Sequence, residues 1–120
     1  MNPRTLASCP SSPNCVSTHA QDAGHAIAPY RYRKSRAEAK EALKNIVHSL
    51  PRTKLVEEDA DYLRYEFTSL IIRFVDDVEF IFDDETKTVH FRSASRTGYG
   101  DFGVNRRRME EIRSLAEGKL

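Results

Sequence analysis

The sequence lacks most of the features that would assign it to a specialised class of protein. Two cysteines are too few for a disulfide framework. No apolar run approaches the roughly 18 residues that a membrane-spanning helix needs. A net charge of +1 gives no overall positive field that would attract nucleic acid. We therefore expect no membrane span, no nucleic-acid partner, no metal and no cofactor; no protein partner is indicated.

The N-terminus also lacks the basic and then apolar pattern of a secretion signal, so the chain as written predicts a cytoplasmic protein. Its 120 residues suit one domain spanning 1–120, which can bury roughly two-thirds of its unfolded surface. With 39% hydrophobic and 31% charged residues, that domain should have a small core and a highly charged surface.

The charges that are present are grouped in blocks along the chain. Residues 31–54 hold eight basic and two acidic residues, whereas residues 57–85 hold eleven acidic and two basic ones. Residues 92–113 hold six arginines and three acids. Such blocks either pair across the fold or leave one acidic and one basic face.

Local patterns predict two helices. Ser35 stands three residues before Glu38, which is the spacing of a capping box, and an apolar stripe at intervals of three and four follows it. This pattern predicts a helix over 35–50, before Pro51. A second stripe, from Met109 to Ala116, predicts a helix over 104–117 that Gly118 closes.

The remaining chain divides into an irregular segment and a set of strands. Residues 1–24 are rich in proline and serine and are predicted to be an irregular loop region. Alternating apolar residues predict four strands within 53–96, and we expect a bulge or break where Asp76 and Asp77 interrupt a long strand over 71–82. The predicted fold class is α+β, a four-stranded antiparallel sheet with both helices on one face.

The most informative stretch runs from Arg92 to Arg108, where a strand pattern ends and a helix pattern begins. If Asn105 caps this helix, three arginines fill its first turn, which opposes the helix dipole. Unpaired backbone amides together with guanidinium groups form a receptor for an anion. We therefore predict a small anionic ligand as the partner, bound by Arg92, Ser93, Ser95, Arg96, Asn105, Arg106 and Arg108.

Other residues near this site could support it, and two alternatives stay open. The supporting or loop residues are Asn14, Ser17, Asp76, Asp77 and Asp101. In one alternative the arginines pair with these aspartates and only lock the fold. In the other, the helix starts earlier with Asp101 as its cap, so that the conflict with the dipole fades.

Two groups of residues invite a catalytic or metal-binding interpretation. Asp76 and Asp77 are candidate carboxylates, but neighbours in a strand point to opposite faces. The spacing of Cys9, Cys15, His19 and His25 departs from that of common zinc sites. A short disulfide between the two cysteines and two free thiols both remain open.

Several segments of the sequence resemble the domain of unknown function 1499 family. They are Leu6–Ser17, which contains Cys-Pro-Ser-Ser-Pro-Asn-Cys-Val-Ser, then Ile27–Pro29, Asp76–Phe80, Val89–Arg96 and Gly98–Arg108. The family has no assigned activity, so the resemblance implies no reaction, substrate or cofactor. It does imply that the residues singled out above belong to one shared site or one structural cluster. Many relatives look exported or membrane-anchored, which implies that such a form of this protein could exist.

Three functions follow from these patterns. The first is a small domain that binds an anion at the Arg-rich pocket. The second is an enzyme of unknown class that uses Cys15 or the Asp76 and Asp77 pair. The third is a structural or partner-binding module, in which the Arg–Asp cluster locks the fold and the function lies on an exposed apolar patch.

Overall fold

Both predicted helices form, and their ends follow the local sequence. The computed structural model describes residues 4–120, so the first three residues of the predicted irregular segment lie outside it. Helix α1 spans Arg36–His48, and Ser35 and Glu38 make both hydrogen bonds of the predicted capping box. Helix α2 spans Val104–Ala116. The α+β class, the two helices and the antiparallel sheet are confirmed.

The sheet has six strands, so the prediction of four was wrong. The strands are β1 Cys15–Ser17, β2 Tyr30–Arg31, β3 Thr53–Asp59, β4 Tyr62–Thr68, β5 Val75–Asp83 and β6 Thr88–Ser95. The order is β1-β6-β5-β4-β3, and β2 also pairs with β6. Strands β1 and β2 are three and two residues long, too short for an alternating pattern to reveal them. They lie end to end along the outer side of β6 and cover an edge that would otherwise be open.

The predicted long strand over 71–82 was also wrong at its beginning. Strand β5 starts at Val75, and residues 69–74 form a loop between β4 and β5. The register between β4 and β5 is continuous across Asp76 and Asp77, so the predicted bulge is absent there. The register shift lies instead between Leu55 and Glu57, on β3.

The core lies between one face of the sheet and both helices. Apolar side chains of β4, β5 and β6 alternate onto this face, and α1 and α2 cover them with their stripes. Tyr65, Phe80 and Phe91 are fully buried there. The opposite face carries Arg64, Glu66 and other charged residues. Within residues 4–120, no helix has the length and hydropathy required to cross a bilayer.

Candidate functional site

Asp101 caps the first turn of α2. Its carboxylate accepts hydrogen bonds from backbone amides that an anionic ligand would otherwise need. The N-cap position is Gly103, with φ of 77°, and it offers no side-chain oxygen. Asp101 supplies that oxygen from two residues earlier: Oδ1 accepts from the amide of Gly103 at 2.8 Å and Oδ2 from the amide of Asn105 at 3.0 Å. A carboxylate of the protein thus occupies the place that an anion would take.

The environment of Asp101 favours its charged form. Burial would raise the pKa of its carboxyl group, but hydrogen bonds from the Asn105 side chain and from the amides of Asn105 and Gly103 outweigh burial. The pKa therefore lies below its ordinary value. Asp101 is a structural anion at neutral pH.

Behind this cap lies a buried ion pair between β5 and α2. Oδ2 of Asp76 accepts from Nη2 of Arg108 at 2.7 Å, and the two side chains are only 10% and 13% exposed. Nη1 of Arg108 also donates to Oδ1 of Asn105 at 2.9 Å and to Oγ of Ser93 at 3.2 Å. The guanidinium group stacks over Phe67, 4.8 Å from the ring centre. The Asp76 side chain therefore lies on the inward-facing side of β5, and Arg108 balances its charge.

Asn105, which is fully buried, joins this ion pair to the surrounding loops. Its Nδ2 donates to Asp101, to Oγ of Ser95 and to the carbonyl of Asn14, and Ser93 donates to its Oδ1 at 2.7 Å. All its hydrogen-bonding capacity is used, as buried amides require. We call the set Asn14, Asp76, Ser93, Ser95, Asp101, Asn105 and Arg108 the polar network.

The polar network holds the 96–103 loop, which connects β6 to α2. Nδ2 of Asn14 donates to the carbonyl of Gly98 at 2.9 Å, and Asp101 is tied to Asn105 at 2.7 Å. The loop is therefore fixed at two points although it contains no regular structure.

The predicted anion ligands are divided between the two faces of the sheet. Ser93, Ser95, Asn105 and Arg108 lie together in the polar network, but Arg92 and Arg96 project from β6 and its end toward the opposite side. Arg96 makes two hydrogen bonds to Asp77, at 2.8 and 2.9 Å, and one of 2.7 Å to Glu66. This placement leaves Arg96 engaged with carboxylates and separates Asp77 from Asp76.

Arg106 and Arg107, which lie in the first turn of α2, bind backbone carbonyls. Arg106 donates to the carbonyls of Ala26 and Gly24, at 2.9 and 3.3 Å, and so fastens the segment before β2. Arg107 donates to the carbonyl of Phe102 at 2.5 Å. The arginines that the sequence groups together therefore point in different directions.

Arg92 is a predicted ligand whose guanidinium group is only partly engaged. Its Nη2 donates to the carbonyl of Ser8 at 3.4 Å, while its Nε is buried without a hydrogen-bond partner among residues 4–120. Ser17 pairs with Arg92 in the β1–β6 register, and its Oγ accepts from the amide of His19. A cavity of about 220 Å³, lined by Ser8, Ser17 and His19 among others, lies beside these partners of Arg92.

The cysteines are joined to each other. Cys9 and Cys15 form a disulfide, which leaves neither a nucleophilic thiol nor a thiolate ligand for zinc. The enzyme alternative based on Cys15 therefore has no nucleophile in this structure. The segment before the disulfide crosses the charged face of the sheet, where Arg4 contacts Glu57, Asp59 and Tyr62.

A cluster of exposed hydrophobic residues lies at the end of the sheet, next to the polar network. Eight large hydrophobic residues are exposed within residues 4–120, and seven of them lie in the 69–74 loop, the 96–103 loop and the first residue of α2. They are Leu70, Ile71, Ile72, Phe74, Tyr99, Phe102 and Val104, and we call this set the apolar end. Leu115 is the eighth, on α2.

The two loops of the apolar end start from neighbouring strand ends. Val75 pairs with Thr68 on one side, and its carbonyl accepts from the amide of Arg96 at 3.1 Å on the other. The 69–74 loop is closed by two hydrogen bonds between Ser69 and Phe74, each 2.9 Å. Both apolar loops therefore project from the same edge of the fold.

Sequence reasoning missed the apolar end because it assigned Ile71–Phe74 to a strand. A signal was present: Leu70, Ile71 and Ile72 are three consecutive apolar residues, which no half-buried strand accommodates on one face. Tyr99 and Phe102 stand among glycines and carry no period at all. Only the structure brings the two loops to one edge.

The comparison with protein families matches residues 5–115 to the family described as "Protein of unknown function (DUF1499)". The match spans all the segments on which the resemblance was based, and it confirms that resemblance. The searches of curated proteins and of solved structures found no match.

Proposed function

The chain belongs to this family of unknown function, and we propose that it is a binding module whose contact surface is the apolar end. In this proposal the polar network is a scaffold and carries out no chemistry. The observation that carries the proposal is the concentration of seven of the eight exposed large hydrophobic residues in two adjacent loops. Single exposed apolar residues are ordinary, whereas a cluster at one end of a domain is typical of an interaction site.

The degree of exposure supports the proposal. Ile71 is 86% and Phe102 is 95% exposed, so these side chains contribute almost nothing to the core. Their hydrophobic free energy is therefore still available for contact with a partner. A patch of this kind also promotes aggregation, and a functional contact is a physical reason for a chain to retain it.

The backbone of both loops supports it as well. Arg73 and Phe102 have φ of 65° and 54°, the left-handed region that glycine adopts most easily. A fully exposed phenylalanine in this conformation destabilises the fold without a packing gain in return. Strain of this kind tends to occur at functional sites.

The polar network provides the rigidity that such a surface needs. Asn14 fixes Gly98, and Asp101 fixes the start of α2, so Tyr99 and Phe102 lie between two anchored points. A loop whose backbone is already anchored loses less conformational entropy when it binds. In this proposal the polar network positions the loop that carries Tyr99 and Phe102.

The proposal can be tested without knowing the partner. We expect the double variant Ile71→Ser/Phe102→Ser to keep the Tm of the wild-type protein but to lose retention on an octyl resin and binding of a hydrophobic dye. Leu115→Ser is the matched control, since it removes an exposed apolar residue away from the apolar end. Equal retention of the double variant and the wild type would refute the proposal, as would a double variant that loses its cooperative unfolding.

A second candidate function is the binding of a small anion at Arg92. It is favoured by the buried Nε that lacks a partner within residues 4–120, and by a cavity of about 220 Å³ whose lining includes Ser8 and Ser17, the partners of Arg92. A ligand of the native state raises the unfolding midpoint. We expect phosphate or sulfate to raise the Tm of the wild type and not of Arg92→Met; no shift at millimolar concentration, or an equal shift in both, would count against this function.

A further inference from the structure

The shape of the apolar end restricts the kind of partner it can meet. The surface consists of the tips of two loops that project beyond the last paired residues of the sheet, Thr68, Val75 and Ser95. Cavities lie elsewhere in the described chain: one of about 790 Å³ lies between the β2 region and the end of α2, and one of about 220 Å³ lies near the disulfide. Neither is lined by residues of the apolar end. Loops that project in this way suit a partner into which they insert, rather than a ligand or side chain that is bound in a pocket.

The side chains of the apolar end have the composition of an interfacial anchor. Leu70, Ile71 and Ile72 supply aliphatic side chains for the acyl region of a bilayer. Phe102 and Tyr99, exposed by 95% and 72%, supply aromatic rings of the type that is enriched at the membrane–water interface.

The charges around the apolar end are complementary to an anionic surface. Arg52, Arg73 and Arg107 lie in or beside the two loops, and none of the three forms an ion pair with residues 4–120. Arg73 lies within the 69–74 loop, Arg107 contacts the carbonyl of Phe102, and Arg52 contacts the carbonyl of Thr68 at 3.0 Å.

Three of the four carboxylates of the same region are engaged in ion pairs. Asp76 is paired with Arg108, while Asp77 and Glu66 are paired with Arg96. Asp101 keeps its charge and accepts hydrogen bonds from the amides of Gly103 and Asn105. Within the described chain, the three arginines without an ion pair therefore outnumber the one carboxylate without an ion pair, Asp101, and the net charge left beside the apolar loops is positive. Basic residues next to apolar anchors add attraction to negatively charged headgroups.

From this shape, composition and charge we propose that the partner of the apolar end is the surface of an anionic lipid bilayer. The inference rests on the proposed function, since it names the partner of the same surface. The two loops enter the headgroup region with their apolar tips, and the three arginines contact lipid phosphates. A second copy of this chain, or another protein, would have to place carboxylates opposite the unpaired arginines, whereas an anionic bilayer presents negative charge over its whole surface.

The test uses the full chain and two kinds of vesicle, phosphatidylcholine alone and phosphatidylcholine with about 30% phosphatidylserine. In co-sedimentation, we expect the wild type to bind the anionic vesicles at least tenfold more tightly than the neutral ones. Higher salt should weaken the binding because it screens the arginines. Equal affinity for both vesicles, or no effect of salt, would overturn the anionic assignment.

Three variants separate the contributions. Ile71→Ser/Phe102→Ser should lower the affinity for anionic vesicles at least tenfold, and Arg52→Gln/Arg73→Gln should lower it while leaving retention on the octyl resin intact. Leu115→Ser should bind as the wild type does. Vesicle binding that the double loop variant does not reduce would overturn the inference.

The failure of this inference is distinguishable from the failure of the proposed function. If the wild type is retained on the octyl resin through Ile71 and Phe102 but binds neither vesicle, the surface exists and its partner is not a bilayer. Loop-dependent dimerisation in analytical ultracentrifugation, without vesicle binding, would assign the surface to a second copy instead. If neither resin nor vesicle binding depends on these residues, both proposals fail.

Discussion

Asp76 and Arg108 form an ion pair of 2.7 Å that joins the start of strand β5 to the N-terminal half of α2 beneath the surface of the protein. The pair explains why a strand that is otherwise apolar on its inner face carries a carboxylate at this level. It also explains why α2 tolerates an arginine at position 108: its guanidinium group is directed at a carboxylate and does not lie near unpaired amides.

Removing one partner of this pair should strongly destabilise the fold. In Arg108→Met, Asp76 stays largely buried without a cation, and we expect a loss of about 3–5 kcal/mol in the free energy of unfolding. The double variant Asp76→Leu/Arg108→Met should regain part of the loss, since no charge is then left unpaired. Arg96→Gln is the control, because that arginine is 44% exposed and its removal should cost less. Urea denaturation measures all three; an Arg108→Met protein as stable as the wild type would show that the pair is not a lock.

The anchoring of the 96–103 loop by Asn14 predicts a local effect. Asn14→Ala removes the donors to the carbonyls of Thr97 and Gly98, so we expect faster hydrogen exchange in peptides covering residues 96–103. Exchange in β4 and β5 should change much less. Asn45→Ala, at an exposed position of α1, is the control. Unchanged exchange in the loop would mean that Asn14 does not hold it.

The capping carboxylate predicts how stability depends on pH. The folded protein holds the pKa of Asp101 below its ordinary value of 3.8, so the hydrogen bonds of the cap stabilise the fold fully above that value. The contribution is lost as pH falls through the folded pKa. We expect the free energy of unfolding to fall less steeply in acid for Asp101→Asn than for the wild type.

Glu111→Gln serves as the reference for this pH profile, since Glu111 is exposed on α2. Its acid profile should follow that of the wild type. If Asp101→Asn also follows the wild type from about pH 7 to pH 3, Asp101 does not cap α2 as described.

The fold was largely predictable from local patterns, and the reasons differ between elements. The capping box at Ser35 and the stripe of α1 are local features, so the helix is readable from its own residues. The pairing of β1 and β2 with β6 depends on residues more than 50 positions away, which a three-residue segment cannot indicate. The number of strands was therefore the part that failed.

Only part of the candidate site could be predicted from the sequence. Ser93, Asn105 and Arg108 do meet, but Arg92 and Arg96 leave on the other side of β6. Alternation along the strand already places Arg92 and Arg96 on the face opposite to Ser93, and the predicted ligand set did not apply that rule. The apolar end was hidden for a different reason, because two loops more than 20 residues apart share an edge only in the folded chain.

Phe102 predicts an unusual response to truncation. Phe102→Gly removes a side chain that is 95% exposed from a residue with φ of 54°, so we expect the free energy of unfolding to stay within about 1 kcal/mol of the wild type. A buried phenylalanine costs about 3–5 kcal/mol when truncated. Binding to the octyl resin should fall nonetheless. A loss of several kcal/mol in urea denaturation would show that Phe102 packs against the protein.

The central claim is that the apolar end enters an anionic bilayer, and fluorescence tests it most directly. The chain contains no tryptophan, so Phe102→Trp places a single reporter at the tip of a loop and Leu115→Trp places one outside the apolar end. On adding vesicles with about 30% phosphatidylserine, we expect the emission of the Phe102→Trp protein to shift to shorter wavelength and that of the Leu115→Trp protein to stay constant. No shift in the Phe102→Trp protein, or the same shift in both, would contradict the account.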